Sequence, residues 1–408
     1  EVTLDGQRFL GGQEPGAVDW ALYAILVRFD AIFYGLFKLN RQRLADFPAL
    51  GGWLRDLYQR PGVAGSLDLA AVVREVYQAH TEWNPKQTWP VFLPDHDAPH
   101  DRGRFDREAR RAAGVEESGA GKRDGEFVRG RSALRQTISE AEAEPGRYHL
   151  YVANNCPWCH RAVLARSVLG LEDVVSMDTL YYRRDAERGW QFRPDLPGFD
   201  ADSVHNARFI REIYDRQGSK ESSVPILYDK LKGEIVNNES SEIIRIFDGA
   251  FRRFARHPTI CPDDLRDEID GYNAWIWRDI NNGAYKAGFT GSQEAYEAAA
   301  GRYFSAFDRL EQIFSRRRFL CGERFTEADL RLFPTLYRHD DVYYTRFKLS
   351  RTLISETVHL RRWLEDVLSI PGVVDASFLE QCKQGYFGRH ANEIVPIGPA
   401  RTAAQRTD

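Results

Sequence analysis

The chain has 408 residues, of which 43% are hydrophobic and 28% charged, enough for two or three soluble domains with ample core. No apolar run approaches the roughly 18 residues of a membrane span, and a net charge of −4 gives no general attraction to nucleic acid or to an anionic membrane. Five cysteines, odd in number and scattered, do not make a secreted disulfide framework, so a cytoplasmic protein is expected. The chain opens at Glu1 without the basic and apolar segments of a secretion signal, and reads as trimmed rather than targeted.

The first stretch is a copy of a later one. From Arg8 the residues align without a gap to those from Arg318, at a constant offset of 310. Arg8-Phe9-Leu10 matches Arg318-Phe319-Leu320, Phe37-Lys38-Leu39 matches Phe347-Lys348-Leu349, and Pro61-Gly62-Val63 matches Pro371-Gly372-Val373. Roughly two in five positions agree between 8 and 63, far above chance at one fixed offset. Helical spacing puts Trp20, Tyr23, Leu26 and Val27 on one apolar stripe. The later copy starts a helix at Thr326-Glu327-Ala328-Asp329, where Thr326 is expected to cap the free N–H groups. The earlier copy has Gly16 and Phe33 in place of Thr326 and Tyr343. It keeps apolar positions and loses polar ones, the pattern of a packing module that takes no part in chemistry. Residues 1–95 are therefore read as a partial helical repeat, buried against the helical domain of its own chain or of a second subunit. Residues 96–130, charge-rich and poor in large apolar groups, read as a linker.

From residue 147 the pattern changes. Residues 148–152 predict a strand, Cys156-Pro157 turns into a helix that Gly170 stops, and 174–180 is a second strand. A helix over 204–214, a hairpin of 224–228 and 234–236 around Lys232-Gly233, and a helix over 241–247 follow. The order β-α-β-α-β-β-α is that of a thioredoxin-like domain, assigned to 131–250. An all-helical domain over 251–399 and a tail at 400–408 complete a fold of class α/β plus all-α.

Chemistry is expected where a cysteine begins a helix. At Cys156 the unpaired N–H groups and the helix dipole favour a thiolate, and His160 and Arg161 are expected to add positive potential. Cys159 completes Cys156-Pro157-Trp158-Cys159, a redox motif in which the second thiol either resolves a mixed disulfide or simply packs as a small hydrophobe. No second cysteine pair or histidine pair closes a zinc site around it, so no metal is expected. Pro225 is expected to be cis, opening a strand opposite the nucleophile. Glu239 and Ser240 precede a helix, and read either as a simple cap or as a carboxylate and ammonium site.

Taken together, Asn155-Cys156-Pro157-Trp158-x-His160-Arg161, Gly189-Trp190-x-Phe192, Asn237-Asn238-Glu239-Ser240-Ser241-Glu242, Asn282-Gly283-x-Tyr285-Lys286 and Phe347-Lys348 resemble the Xi class of glutathione transferases, the glutathionyl-hydroquinone reductases. The match covers about 124–399, and Gly125-Glu126-Phe127 resembles the family's N-terminal coil. The resemblance implies that Cys156 attacks the sulfur of a glutathionyl-hydroquinone and that a second glutathione releases it. It implies that Trp190, the backbone of Val224 before Pro225, Glu239 and Ser240 hold glutathione, the co-substrate, while Tyr285 and Tyr343 bond the hydroquinone oxygens. The partners implied are a quinone or hydroquinone thioether and a second copy of the chain in a homodimer.

Three positions depart from the family pattern. Cys159 stands where alanine is usual, Glu221-Ser222-Ser223 replaces an Arg-x-Thr before the proline, and His339 replaces a phenylalanine, to tune the pocket or to serve structure. Two further readings remain: a dithiol, glutaredoxin- or dehydroascorbate-type reductase using Cys156 and Cys159, and a non-catalytic assembly module.

Overall fold

The computed structural model describes residues 1–100, 102, 134–388 and 394–399. Most of the expected linker, with Gly125-Glu126-Phe127, and the tail at 400–408 lie outside the described residues. The elements in chain order are α1 (Val2–Gly6), α2 (Ala17–Leu26), α3 (Pro48–Tyr58) and α4 (Leu69–Ala79). There follow β1 (Tyr148–Val152), α5 (Pro157–Val168), β2 (Ser176–Thr179), the short ribbon β3 (Arg184–Asp185) and β4 (Gly189–Trp190), α6 (Ile210–Asp215), β5 (Ile226–Asp229), β6 (Glu234–Asn237) and α7 (Ser240–Gly249). The helical domain is α8 (Arg266–Ile276), α9 (Asn282–Phe289), α10 (Gln293–Phe314), α11 (Glu327–Tyr337), α12 (Tyr344–Arg346), α13 (His359–Leu368) and α14 (Leu379–Phe387).

Residues 148–152 are all buried, which is why they lack the alternation of a half-exposed strand. β1 pairs in parallel with β2 and antiparallel with β5, and the sheet runs β2-β1-β5-β6. The thioredoxin-like order is therefore as expected, with two local differences. The predicted helix over 204–214 begins only at Ile210. Asp202 takes the N–H groups of Val204, His205 and Ala207, holding a turn with Asn206 at φ +57, and Glu212 then caps the backbone of Phe209. The ribbon of β3 and β4 was not foreseen; its strands are too short to carry a periodic signal. α5 stops as expected: Gly170, at φ +68, lets the Leu171 N–H reach back to the Arg166 carbonyl.

The repeat is as close in structure as in sequence. Asp329 takes the N–H of Leu320, the N–H of Thr326 and Nε1 of Trp363; Asp19 takes those of Leu10, Gly16 and Trp53. Each residue of the first set lies 310 positions after its counterpart. Thr326 is the N-cap as expected, in a capping box with Asp329, and its hydroxyl also donates to the Asp329 carboxylate. The aspartate is the organiser, so the module could lose Thr326's counterpart and still form the turn. Deep burial pushes Asp329 up to about 6. In the smaller module burial acts the same way on Asp19, but the donors from Leu10, Trp53 and Gly16 outweigh it and hold the carboxyl below its ordinary value.

Of the apolar stripe, Tyr23 and Val27 are buried and Trp20 and Leu26 half-buried. The module docks on the helical domain of its own chain. Tyr34 meets Tyr344 edge to face at 5.6 Å, Phe92 meets Phe304 at 5.0 Å, Gln293 bonds both backbone groups of Trp89, and Arg43 pairs with Glu356. The start of the expected linker is packed too: Arg102, 2% exposed, donates to the carbonyls of Leu4, Gln7 and Arg8.

Trp363→Phe and Trp53→Phe should each destabilise their own copy by about 1–3 kcal/mol, because a buried carboxylate loses a donor. Urea unfolding reads this directly, and a loss under about 0.5 kcal/mol in both variants would remove the aspartate from its organising role.

Candidate active site

Cys156 is the N-cap of α5, with extended backbone before the helix. Its Sγ lies 3.9 Å from the Val224 carbonyl, and the Val224–Pro225 peptide is cis. The sulfur opens into a cleft of about 410 Å³, whose walls include Asn155, Trp158, Trp190, Val224, Tyr285, Phe289 and Tyr386. The helix N-terminus supplies positive potential to the sulfur. His160 does not add to it: burial and then the Arg338 charge hold its pKa well below the ordinary value. His160 is a neutral acceptor for Arg338 (2.8 Å). Arg161 turns toward the helical domain, donating to Asn281 Oδ1 at 2.6 Å.

Across the cleft, the hydroxyls of Tyr285 and Tyr386 are 2.5 Å apart. Tyr343, fully buried, stands behind them with its hydroxyl 3.4 Å from that of Tyr386 and its ring stacked on Phe347 at 4.6 Å. Burial pushes the Tyr343 and Tyr386 phenols well up, so both are protonated donors. Tyr285 thus lines the cleft as expected, Tyr343 supports it, and Tyr386 was missed. Its signal lay in Gly385, where a Cβ would come within 2.3 Å of Asn155: only glycine lets α14 lie against the loop before Cys156.

Trp190 and Val224 face the cleft, and so do Arg184, Lys220 and Glu221-Ser222-Ser223. Arg184 and Lys220, two cations at its rim, were not foreseen; Arg184 sits in the two-residue strand β3 and Lys220 in a loop, and neither carries a periodic signal. Glu239 and Ser240 lie at the start of α7, outside the cleft lining, where the Glu239 carboxylate takes the N–H and hydroxyl of Ser241 at 3.1 and 3.0 Å. His339 serves structure: Nδ1 accepts from Tyr303 at 2.9 Å and Nε2 donates to the Thr352 carbonyl at 2.9 Å. Among the described residues no group of three or more His, Cys, Asp or Glu is placed to hold a metal ion, and no helix is long and apolar enough to cross a membrane.

Models of the glutathione S-transferase N-terminal domain match residues 155–250, and those of the C-terminal domain match 1–56 and 293–366. The chain is 38% identical over 295 residues to glutathionyl-hydroquinone reductase YqjG of Escherichia coli (strain K12), covering 67% of this chain and 89% of the relative. It is 40% identical over 288 residues to glutathionyl-hydroquinone reductase PcpF of Sphingobium chlorophenolicum, covering 68% and 91%. Among solved structures, the glutathione-S-transferase Xi from Phanerochaete chrysosporium superposes with a TM-score of 0.65 at 38% identity, over 68% of this chain and 93% of that one. Glutathione-bound YqjG from Escherichia coli K-12 gives 0.64 at 36%, over 67% and 94%. The chain belongs to the Xi-class glutathione transferases. The covered share has the length of one thioredoxin-like domain with one helical domain, and this Xi-class chain carries the repeat in addition.

Within this Xi-class site Cys159 is the unusual group. It is fully buried, its sulfur accepts the Ala153 N–H at 3.4 Å, and burial followed by the nearby Cys156 holds its pKa well above the ordinary value. A thiol so raised stays protonated at neutral pH and is a poor attacking group. After incubation with glutathione disulfide, peptide mass spectrometry should find the adduct on Cys156 and no Cys156–Cys159 disulfide. An internal disulfide as the main product would make Cys159 a resolving thiol.

Proposed function

We propose that the chain reduces glutathionyl-hydroquinones. The observation that carries this is the Cys156 sulfur at a helix N-terminus, facing across one cleft the paired hydroxyls of Tyr285 and Tyr386, in a chain of this family. The Cys156 thiolate attacks the thioether sulfur; a sulfur–sulfur bond forms as the sulfur–carbon bond breaks. The ring carbon leaves with the electron pair and takes a proton, giving the hydroquinone. A second glutathione thiolate attacks the glutathione sulfur of the mixed disulfide, releasing glutathione disulfide and Cys156 thiolate. Glutathione is the reductant and no metal takes part.

Trp190 and the Val224 backbone hold the glutathione beside Cys156, and Glu239 and Ser240 receive its amino-acid end after the Glu239 carboxylate lets go of Ser241. Tyr285 and Tyr386 bond the hydroquinone oxygens, and Tyr343 sets the angle of Tyr386. Arg184 and Lys220 take over the ligand carboxylate that an Arg-x-Thr would otherwise meet. All five cysteines are buried and none is in a disulfide, which suits a reducing cytoplasm. A homodimer has to form away from Tyr344, a face the repeat already covers.

Cys156→Ser should lower turnover by several orders of magnitude, since an alcohol cannot form the mixed disulfide; more than about a tenth of wild-type rate would sink the assignment. Tyr285→Phe and Tyr386→Phe should each slow a hydroquinone thioether by about tenfold, the loss of a buried hydrogen bond. A small aliphatic glutathione disulfide offers no phenolic oxygen and should be spared; equal losses on both substrates would make the tyrosines structural.

A further inference from the structure

A cavity of about 450 Å³ lies where the repeat meets the helical domain. It is separate from the cleft of Cys156, and no residue lines both. The repeat gives it Tyr34 and Tyr77, the helical domain gives Tyr344 and Lys348, and Phe92 and Leu93 make an apolar wall. A space of about 150 Å³ takes one benzene ring, so this one has room for a two-ring body.

The repeat keeps polar groups here, against its habit elsewhere. Tyr77 stands where the helical domain has Phe387, and Gly35 where it has Thr345. The two changes belong together: a Cβ on Gly35 would come within 2.7 Å of the Tyr77 hydroxyl, so glycine lets that phenol reach the cavity.

Most polar groups of the lining are already bonded. The Asp30 carboxylate takes the N–H groups of Leu44 and Ala45, and Asp95 takes those of Asp97 and Ala98. Arg43 pairs with Asp46 and also donates to the Tyr344 hydroxyl, while Arg351 pairs with Asp308. Two groups are left over, and both are donors. Tyr34 is 2% exposed, and burial pushes its phenol up, so it keeps its proton. Its hydroxyl has no hydrogen-bond partner among the described residues, an unmade bond at a desolvated group. The Lys348 ammonium has none either, although its backbone is fixed at the wall by the Tyr296 hydroxyl, 2.5 Å from the Lys348 carbonyl.

These leftovers define what fits. Two donors ask for an acceptor, and an ammonium asks for a negative one. Asp30 and Asp95 in the same lining oppose a second negative charge, and the edges of Phe92 and the tyrosines suit a ring. We propose that this cavity is a second, non-catalytic ligand site that takes an aromatic monocarboxylate, with Tyr34 and Lys348 on its carboxylate. The repeat, expected only to pack, supplies one of the two anchors. The site stands apart from the reductase chemistry, and neither needs the other.

Calorimetry on the full chain tests this with three probes of one shape: naphthoate, naphthalenemethanol and naphthyl phosphate. Naphthoate should bind one to one and about tenfold tighter than the alcohol, the worth of one charge-assisted contact, and the doubly charged phosphate should bind more weakly than naphthoate. Saturating glutathione with hydroquinone should leave naphthoate in place. Tyr34→Phe removes one hydroxyl, keeps the ring, and should weaken naphthoate about tenfold. Lys348→Met should erase the preference over the alcohol and Lys348→Arg should keep it. A wild type that binds no naphthoate would make this a water-filled gap and overturn the proposal. Equal affinity for acid and alcohol, or a Tyr34→Phe variant that binds naphthoate as wild type does, would do the same. Displacement by glutathione with hydroquinone would place the probe in the catalytic cleft and overturn it too.

Discussion

The guanidinium of Arg338 is the interaction on which the site depends. It is fully buried between the two domains and donates to His160 Nδ1, to the Pro334 carbonyl and to the carbonyl of Asn154. Asn154 leads into Cys156, His160 lies one turn along α5, and Pro334 belongs to α11. One planar group thus fixes the Cys156 loop against the domain that carries the tyrosines. Arg161 adds a second tie in the opposite direction, from α5 to Asn281. Because arginine keeps its proton when desolvated and offers a rigid fork of donors, it serves where lysine would neutralise or swing. The distance between sulfur and hydroxyl pair is set by these buried bonds, and the cleft inherits its shape from them.

The repeat shows which parts of a helical domain are needed to fold and which to act. Asp19 and Trp53 reproduce the turn of Asp329 and Trp363 bond for bond. Asp30 likewise takes the N–H groups of Leu44 and Ala45, as Asp340 takes those of Ile354 and Ser355. Gly16 and Phe33 stand where the helical domain has Thr326 and Tyr343, while Arg28 keeps the counterpart of Arg338. The contact of Tyr34 with Tyr344, a residue with its own counterpart, marks a local two-fold relation between the copies, the geometry of an isologous dimer contact written within one chain.

How much of this was legible in the sequence follows from how local each signal is. Cys156-Pro157 announces a helix start by itself, and Val224-Pro225 and Trp190 sit in short motifs, so the residues that meet in the cleft around Cys156 could be named. Tyr386 reaches the cleft through packing between segments far apart in the chain, which no spacing rule reports. Tyr343 was expected to bond the hydroquinone oxygens; it stands behind Tyr386, and its depth depends on Phe347 and α14. The helix over 204–214 was read from its apolar spacing; the stronger signal was Asp202, whose carboxylate captures three N–H groups and postpones the helix. His160 looked like a source of charge because its burial beside Arg338 is a tertiary fact.

The two copies are links of one polypeptide, and this changes the thermodynamics of the Tyr34–Tyr344 contact. Two free subunits meeting through such a surface give up translational and rotational freedom and come apart on dilution. Here the second surface belongs to the same molecule, so it is present at a fixed effective concentration whatever the dilution. The docking of the repeat on its own helical domain therefore stays assembled however scarce the protein becomes, a property of the single molecule.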